Sequence, residues 1–376
     1  MNELQLRKET VRAAKRIIVK IGSAVLTHHT EIIDGKVIES LVDDMSVLLD
    51  EGKEIILVTS GAVAAGTKKL GLKGSPRSIP EKQAAAAAGQ STLIRYYERA
   101  FEKRGKKVAQ ILLTGDGLSD RTRYLNARNT ITSLLYYSVV PIINENDTVV
   151  VDEIRFGDND NLSAMVVGLS DADLLIMLTD TEGLYNKDPR KFDDVELIQT
   201  VRDIDSQTKG IAGGASDVGT GGMATKIEAA RRAGTFGVPA IIANGGRKGV
   251  LLDVMNGVGL ATLFVPREER LKGRKRWIAY NLKVSGTIIV DDGAKNALGR
   301  GKSLLPSGVV AVEGDFYFGD LVSLVLENGP EFARGLVQYS SNDIDASKGL
   351  NTSRLEEVLG KKDYDEIIHR DDLVLL

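Results

Sequence analysis

Six short runs of valine, isoleucine and leucine, each closed by glycine or a small polar residue and separated by helix-length segments, leave this chain few architectures. The runs are RIIVKI at 16–21, EIILV at 54–58, VAQILL at 108–113, VVPII at 139–143, LLIML at 174–178 and PAIIA at 239–243. Helix-like segments lie among them at 36–51, 81–103, 159–169 and 223–233, the last closed by Gly234. Strands that are apolar almost throughout, rather than alternating, are buried on both faces, and helical crossovers join parallel strands. The pattern predicts an α/β fold, a mainly parallel sheet in a three-layer sandwich. In open sheets of this kind ligands bind beyond the carboxyl ends of the strands. Those ends read Gly22-Ser23, Thr59-Ser60-Gly61, Thr114-Gly115, Asn144-Glu145-Asn146-Asp147, Thr179-Asp180 and Asn244-Gly245-Gly246. They predict one shared crevice, with ordinary polar loops as the alternative.

The chain has 376 residues, enough for more than one domain. Near Pro266 its texture changes. The charged stretch PREERLKGRKRW is followed by short β-type runs at 286–290, 309–312, 321–326 and 336–339, then by helix candidates at 342–348 and 352–358. Turn residues separate the runs, a β-rich barrel pattern rather than a βαβ one. The expected division is a first domain over 1–266, a linker over 267–279 and a second domain over 280–376. The absence of cysteine excludes disulfides and thiolate chemistry, and three histidines supply poorly for a zinc site or a Ser-His-Asp triad. A net charge of −3 gives no whole-protein attraction to nucleic acid or anionic membrane. No run approaches the ~18 apolar residues of a membrane span, and the charged N-terminus has no apolar core of signal-peptide length. A cytoplasmic location without membrane partners is expected.

Several motifs fall on the strand ends. In VKIGS, Lys20 points toward the crevice, Gly22 lets a phosphate approach and Ser23 can donate; a snorkelling lysine is the plain alternative. VTSGAVAAG at 58–66 runs from a strand through Ser60 into a small-residue helix whose N-terminus suits an anion, or simply a cap. GTGGMATK at 219–226 superficially matches a dinucleotide fingerprint. No strand precedes it, and it also fails as a Walker A loop. What remains is a glycine loop leading into a helix with Lys226 in its first turn, suited to polyphosphate charge, or else a surface loop. FGDNDNLSA at 156–164 carries more Asp and Asn than one helix cap needs, so Asp158 and Asp160 could hold lysines or sit near a metal. The later glycine and glutamate of a calcium loop are missing. NENDT at 144–148 clusters amides and carboxylates fit to hold an α-amino group, or forms a polar turn. LTDTEGLYNKDP at 178–189 ends a strand in a loop able to line a nucleotide pocket.

Together and in this order, VKIGSAVL, VTSGAVAAG, PIINENDTV, FGDNDNLSA, LTDTEGLYNKDPR and GTGGMATKIEAA resemble the amino acid kinase family over about residues 14–265. The closest likeness is to its glutamate-phosphorylating branch. GAKNAL, GKSLLPSGVVAVEGDFYFGD and ARGLVQYSS resemble a PUA domain, a module that binds RNA in other proteins. The resemblance implies transfer of a phosphoryl group from ATP, with Mg²⁺ held mostly by nucleotide phosphates, to the γ-carboxylate of L-glutamate, the first step of proline biosynthesis. It implies that Lys20 and Lys226 flank the phosphoryl group and that Asp160 aligns them. Gly22 and Ser23 would face the phosphates, and Ser60, Asp147 and Asn159 would contact glutamate. Thr179, Asp180 and the loop Thr220, Gly221, Gly222, Met223, Ala224, Thr225 to Lys226 would contact ATP. No protein metal ligand is assigned. Proline as feedback inhibitor, a homo-oligomer and passage of product to glutamate-5-semialdehyde dehydrogenase complete what it implies.

A carboxylate acceptor is already ionised at neutral pH, so no general base is needed, in keeping with the scarcity of histidine. Two readings compete. One is a kinase of the same fold acting on N-acetylglutamate, aspartate, carbamate or UMP. The other is an RNA-binding protein working through its C-terminal module and the basic stretch 267–276, although that stretch reads more readily as a solvated linker.

Overall fold

The computed structural model describes residues 2–27, 32–149, 158–189, 191–192, 194–204, 222–266, 284–327, 329–360 and 363–376. The chain divides into two compact units, Met1–Arg270 and Leu271–Leu376. The expected linker over 267–279 lies outside the described residues.

The first unit is built on an eight-stranded sheet of β1 (Arg16–Ile21), β2 (Glu54–Thr59), β3 (Lys107–Leu113), β4 (Val139–Glu145), β5 (Leu174–Thr179), β6 (Thr200–Val201), β7 (Ala240–Asn244) and β8 (Ala261–Phe264), in the order β3-β4-β2-β1-β5-β7-β8-β6. All six strands expected from the sequence form and pair in parallel. β8, not anticipated, lies antiparallel to β7. The central strands are buried on both faces, as continuous apolar runs require. On one face Ile17, Val19 and Ile21 of β1 join one core with Leu41, Met45, Leu93, Tyr97 and Leu251, from helices Gly35–Asp50, Ile79–Glu102 and Val250–Met255. The alternate residues of β1, Ile18 and Lys20, belong to the other face, on which helices Asp158–Ser170 and Met223–Thr235 pack.

Local chemistry sets the helix starts. Asp34 caps one helix by accepting from the Lys36 amide at 2.8 Å, and Ser78 caps another by accepting from Glu81 at 3.3 Å. Helix Met223–Thr235 runs past Gly234, contrary to expectation; the left-handed residue that follows it is Gly237, φ 65°. Helices Ala62–Lys69 and Ile79–Glu102 touch backbone to backbone. A Cβ at Gly66 would stand 1.6 Å from the Ala85 carbonyl oxygen, and one at Gly89 1.9 Å from that of Ala62. Only glycine permits this contact.

The second unit holds a five-stranded sheet of β9 (Val284–Val290), β10 (Val309–Gly314), β11 (Leu321–Leu326), β12 (Glu331–Leu336) and β13 (Leu373–Leu375), in the order β10-β9-β11-β12-β13. The strand expected at 336–339 is displaced to Glu331–Leu336. Val337 and Tyr339 keep the apolar alternation because they are core residues, but the amides of Val337 and Gln338 bond Asp320 and Ile367 outside the ladder. The helix candidates at 342–348 and 352–358 appear as Ser341–Ser347 and as a 3₁₀ turn leading into Leu355–Leu359.

Candidate active site

Lys20 sits one residue before the end of β1, between Val58 of β2 and Met177 of β5. It is only 3% exposed. An ammonium group so enclosed requires a partner, and Asp160, itself fully buried, places Oδ1 2.5 Å from the Lys20 Nζ. The second oxygen of the same carboxylate lies 3.3 Å from the Nζ of buried Lys226. The Thr225 hydroxyl stands 2.6 Å from Asp160 Oδ2 and 2.8 Å from the Gly222 carbonyl. Its single proton serves the carboxylate better, because charged acceptors bind more strongly. A strand and two helices thus meet at one aspartate, with Asp160 and Lys226 66 residues apart in the chain.

Burial and charge act together on Lys20 and Asp160. Burial pushes the Lys20 ammonium below its ordinary value, Asp160 opposes the fall and Lys226 adds to it. Burial by itself would raise the Asp160 carboxyl. Lys20 and Lys226 outweigh it, with hydrogen bonds from Lys20 and Thr225, and hold the group below the usual carboxylate range. Buried ion pairs of this kind contribute little to stability compared with an apolar core, so their presence at a strand end points to chemistry.

Beside the charged cluster lies a neutral one. Asn159, one residue before Asp160, donates its amide nitrogen to Ser60 Oγ at 3.1 Å and to Asn144 Oδ1 at 3.2 Å. Asn144 in turn donates to Gln90 Oε1 at 3.0 Å. The Asn159 Oδ1 is buried and has no hydrogen-bond partner among the described residues. A buried acceptor left without a donor costs about 1–3 kcal/mol; an incoming ammonium group would remove that cost. Asp147 lies half-buried in the turn after β4.

The remaining predicted positions divide. The Gly22 amide donates to the Leu178 carbonyl at 3.2 Å, so this glycine offers room rather than a donor: its Cβ position is 3.8 Å from Lys20 Nζ. Ser23 opens the short helix Ser23–Thr27. Thr179, buried at the end of β5, donates to exposed Asp180 at 3.0 Å. Gly222 precedes helix Met223–Thr235, and Met223, Ala224 and Thr225 form its first turn with Lys226. Thr220 and Gly221 lie outside the described residues, as does most of the glycine loop. The side chain of Asp158 lies there too. Sequence reasoning did not single out Gln90, whose one signal is that it is the amide directly after the run AAAAAG, nor the tie from Thr225 to Asp160. Among the described residues no group of three or more acidic or histidine side chains could hold a metal ion.

Comparison with known proteins gives a consistent result. Residues 15–244 match the amino acid kinase family and residues 286–359 match the PUA domain. A glutamate 5-kinase of Geobacter sulfurreducens is 52% identical over 373 residues, covering 99% of this chain and 100% of that protein. One from Pelobacter propionicus is 50% identical over 373 residues, with 99% and 100% covered. One from Moorella thermoacetica is 51% identical over 365 residues, with 96% of this chain and 97% of that protein covered.

Proposed function

The chain belongs to the amino acid kinase family, and from that premise we propose that it phosphorylates the side-chain carboxylate of L-glutamate with ATP. The observation that supports it best is the convergence of Lys20 and Lys226 on the two oxygens of Asp160 at the strand ends. A γ-carboxylate oxygen of glutamate attacks the γ-phosphorus in line. The bond from that phosphorus to the bridging oxygen of ADP breaks, ADP departs with its electron pair, and glutamyl 5-phosphate remains. With a pKa of about 4.3 the acceptor is ionised at pH 7 and no proton has to be removed. Both reactants are anions, so the work left to the protein is positioning and charge stabilisation.

In this reading Lys20 and Lys226 neutralise charge on the moving phosphoryl group and Asp160 fixes their spacing. Thr225 holds the far oxygen of Asp160. Ser60, Asp147 and Asn159 receive glutamate, the Asn159 Oδ1 accepting from its α-ammonium group. Gly22, Ser23, Thr179, Asp180 and residues 220–226 line the nucleotide. Among the described residues the donor set does not fit a protein-bound metal, since the one fully buried carboxylate of the cluster is committed to two lysines. Mg²⁺ enters the proposal on the nucleotide phosphates, and no step is assigned to it. A compact site for one amino acid also suits proline as a feedback inhibitor. A labile acyl phosphate favours rapid passage to glutamate-5-semialdehyde dehydrogenase. A homo-oligomer, a cytoplasmic location and a division into 1–266, a linker over 267–279 and 280–376 belong to the same proposal.

ATP turnover with glutamate, N-acetylglutamate and aspartate side by side, with hydroxylamine trapping the acyl phosphate, tests the assignment. Glutamate hydroxamate should form and the other two acceptors should give little. A preference for either alternative would overturn the choice of substrate.

A further inference from the structure

Beneath Ser60 runs a further series of hydrogen bonds that the proposed reaction has not used. Thr59 ends β2 and is 1% exposed, and Tyr97, on helix Ile79–Glu102, is fully buried. Their hydroxyl oxygens stand 2.8 Å apart. The Thr59 hydroxyl also donates to the Ser60 carbonyl at 3.2 Å. The gap lined by Thr59, Tyr97, Gln90 and Asn144 has no room for a water molecule. The two hydroxyls must therefore be satisfied by protein groups.

One proton on each hydroxyl sets the direction. Were Thr59 to donate to Tyr97, the proton of the phenol would find no acceptor among the described residues, and the Ser60 carbonyl would lose its donor. The series therefore runs from Tyr97 through Thr59 to the Ser60 carbonyl. Burial pushes the phenol well above its ordinary range, so it keeps the proton that this direction needs. Among the described residues no backbone amide donates to the Ser60 carbonyl. Thr59 holds it at a bend, where Gly61 follows with φ 104° and caps the next helix without a side chain. On the side-chain side, the Ser60 hydroxyl accepts from Asn159 at 3.1 Å.

Tyr97 lies seven residues after Gln90, two helical turns, so both project from one face of their helix. Gln90 reaches Asn144 and through it Asn159, while Tyr97 reaches Thr59 and through it Ser60. We propose that Thr59 and Tyr97 are positioning residues for the acceptor amino acid. They fix the Ser60 peptide, and with it the direction of the Ser60 hydroxyl, without touching substrate or nucleotide. This rests on the glutamate pocket proposed above. Because the series ends at Ser60 and not at Asp160, its loss is felt in acceptor binding rather than in phosphoryl transfer.

Steady-state kinetics of the full chain, with glutamate and ATP varied in turn and thermal melts alongside, tests this. Thr59→Val keeps the shape and removes the hydroxyl. KM for glutamate should rise about tenfold, with kcat within a few-fold and KM for ATP unchanged. Thr59→Ser should recover most of that loss. Tyr97→Phe leaves Thr59 its proton and should raise the same KM only about twofold. The double variant Thr59→Val/Tyr97→Phe separates stability from position. With both partners gone, no buried phenol is left unpaired and the melting temperature recovers. The Ser60 carbonyl still lacks its donor, so KM for glutamate stays raised. If Thr59→Val alone fails to fold, the double variant decides by the same KM. An unmoved KM for glutamate, an equal rise in KM for ATP, or a KM that recovers with the melting temperature in the double variant would overturn the proposal. Wild-type protein that forms no glutamate hydroxamate would overturn the function on which it rests, and this inference with it.

Discussion

Asn159 and Asp160 are neighbours in the first turn of one helix, yet they head two clusters of opposite character. Asp160 gathers Lys20, Lys226 and Thr225 into a charged knot in which both carboxylate oxygens are engaged. Asn159 gathers Ser60, Asn144 and, through it, Gln90 into a neutral chain that leaves one buried oxygen without a donor. Successive helical residues point about 100° apart, so one helix start serves two territories at a fixed spacing. The comparison teaches a division of labour. In the proposed reaction the concentrated charge is assigned to the polyanion, and the unfilled neutral acceptor to the ammonium group of the amino acid.

Several substitutions would break or sharpen that contrast. The largest effect belongs to the charged side. Lys20→Ala and Lys226→Ala are each expected to lower kcat at least ~100-fold, the loss typical for one charge-stabilising donor, with circular dichroism unchanged; near-normal turnover in both would refute their roles. On the neutral side, Asn144→Ala should raise KM for glutamate by about tenfold or more, since it strips a buried hydrogen bond from Asn159, while KM for ATP stays near wild type. One step further out, Gln90→Leu should raise the same KM by about fivefold, and Gln90→Glu, which keeps the acceptor for Asn144, should recover part of it. Equal changes in both KM values would dissolve the distinction between the clusters.

The smallest effect on catalysis belongs to a buried carboxylate that neither cluster uses. Asp44 accepts from the Leu251 amide at 3.0 Å, and burial pushes its carboxyl up to about 6. An unfolded aspartate titrates near 3.9. The native state therefore holds an extra proton between those values, and its stability falls as pH rises through them. Asp44→Asn should raise Tm by roughly 3 °C at pH 7, with the gain vanishing below about pH 4 and turnover unchanged. Thermal melts across pH check the sign.

Much of this arrangement was legible in the sequence because it rests on period and position. The six strands are continuous apolar runs, and the side-chain period of two places Lys20 opposite the core formed by Ile17, Val19 and Ile21. The first-turn placement of Asp160 and Lys226 followed from helix starts. What escaped depends on tertiary contact. Helix Arg121–Tyr136 is polar nearly all round and shows no clear stripe. β8 is four residues long and is held between β7 and the two-residue β6, partners far from it in the sequence. Gln90 reaches Asn144 from a helix packed against its neighbour through Gly66 and Gly89, a closeness no local pattern announces. In the second unit the β-type run expected at 336–339 falls on the core residues Val337 and Tyr339 but meets the strand only at Leu336, because the hydrogen-bond ladder lies upstream at Glu331–Leu336.

The division of labour between adjacent residues is tested most directly by steady-state kinetics of Asn159→Ala and Asp160→Asn, with glutamate and ATP varied in turn. The account predicts that Asn159→Ala raises KM for glutamate with kcat held within a few-fold, and that Asp160→Asn lowers kcat by about 100-fold or more with KM for glutamate nearly unchanged. The opposite split, or the same loss in both parameters from either change, would contradict it.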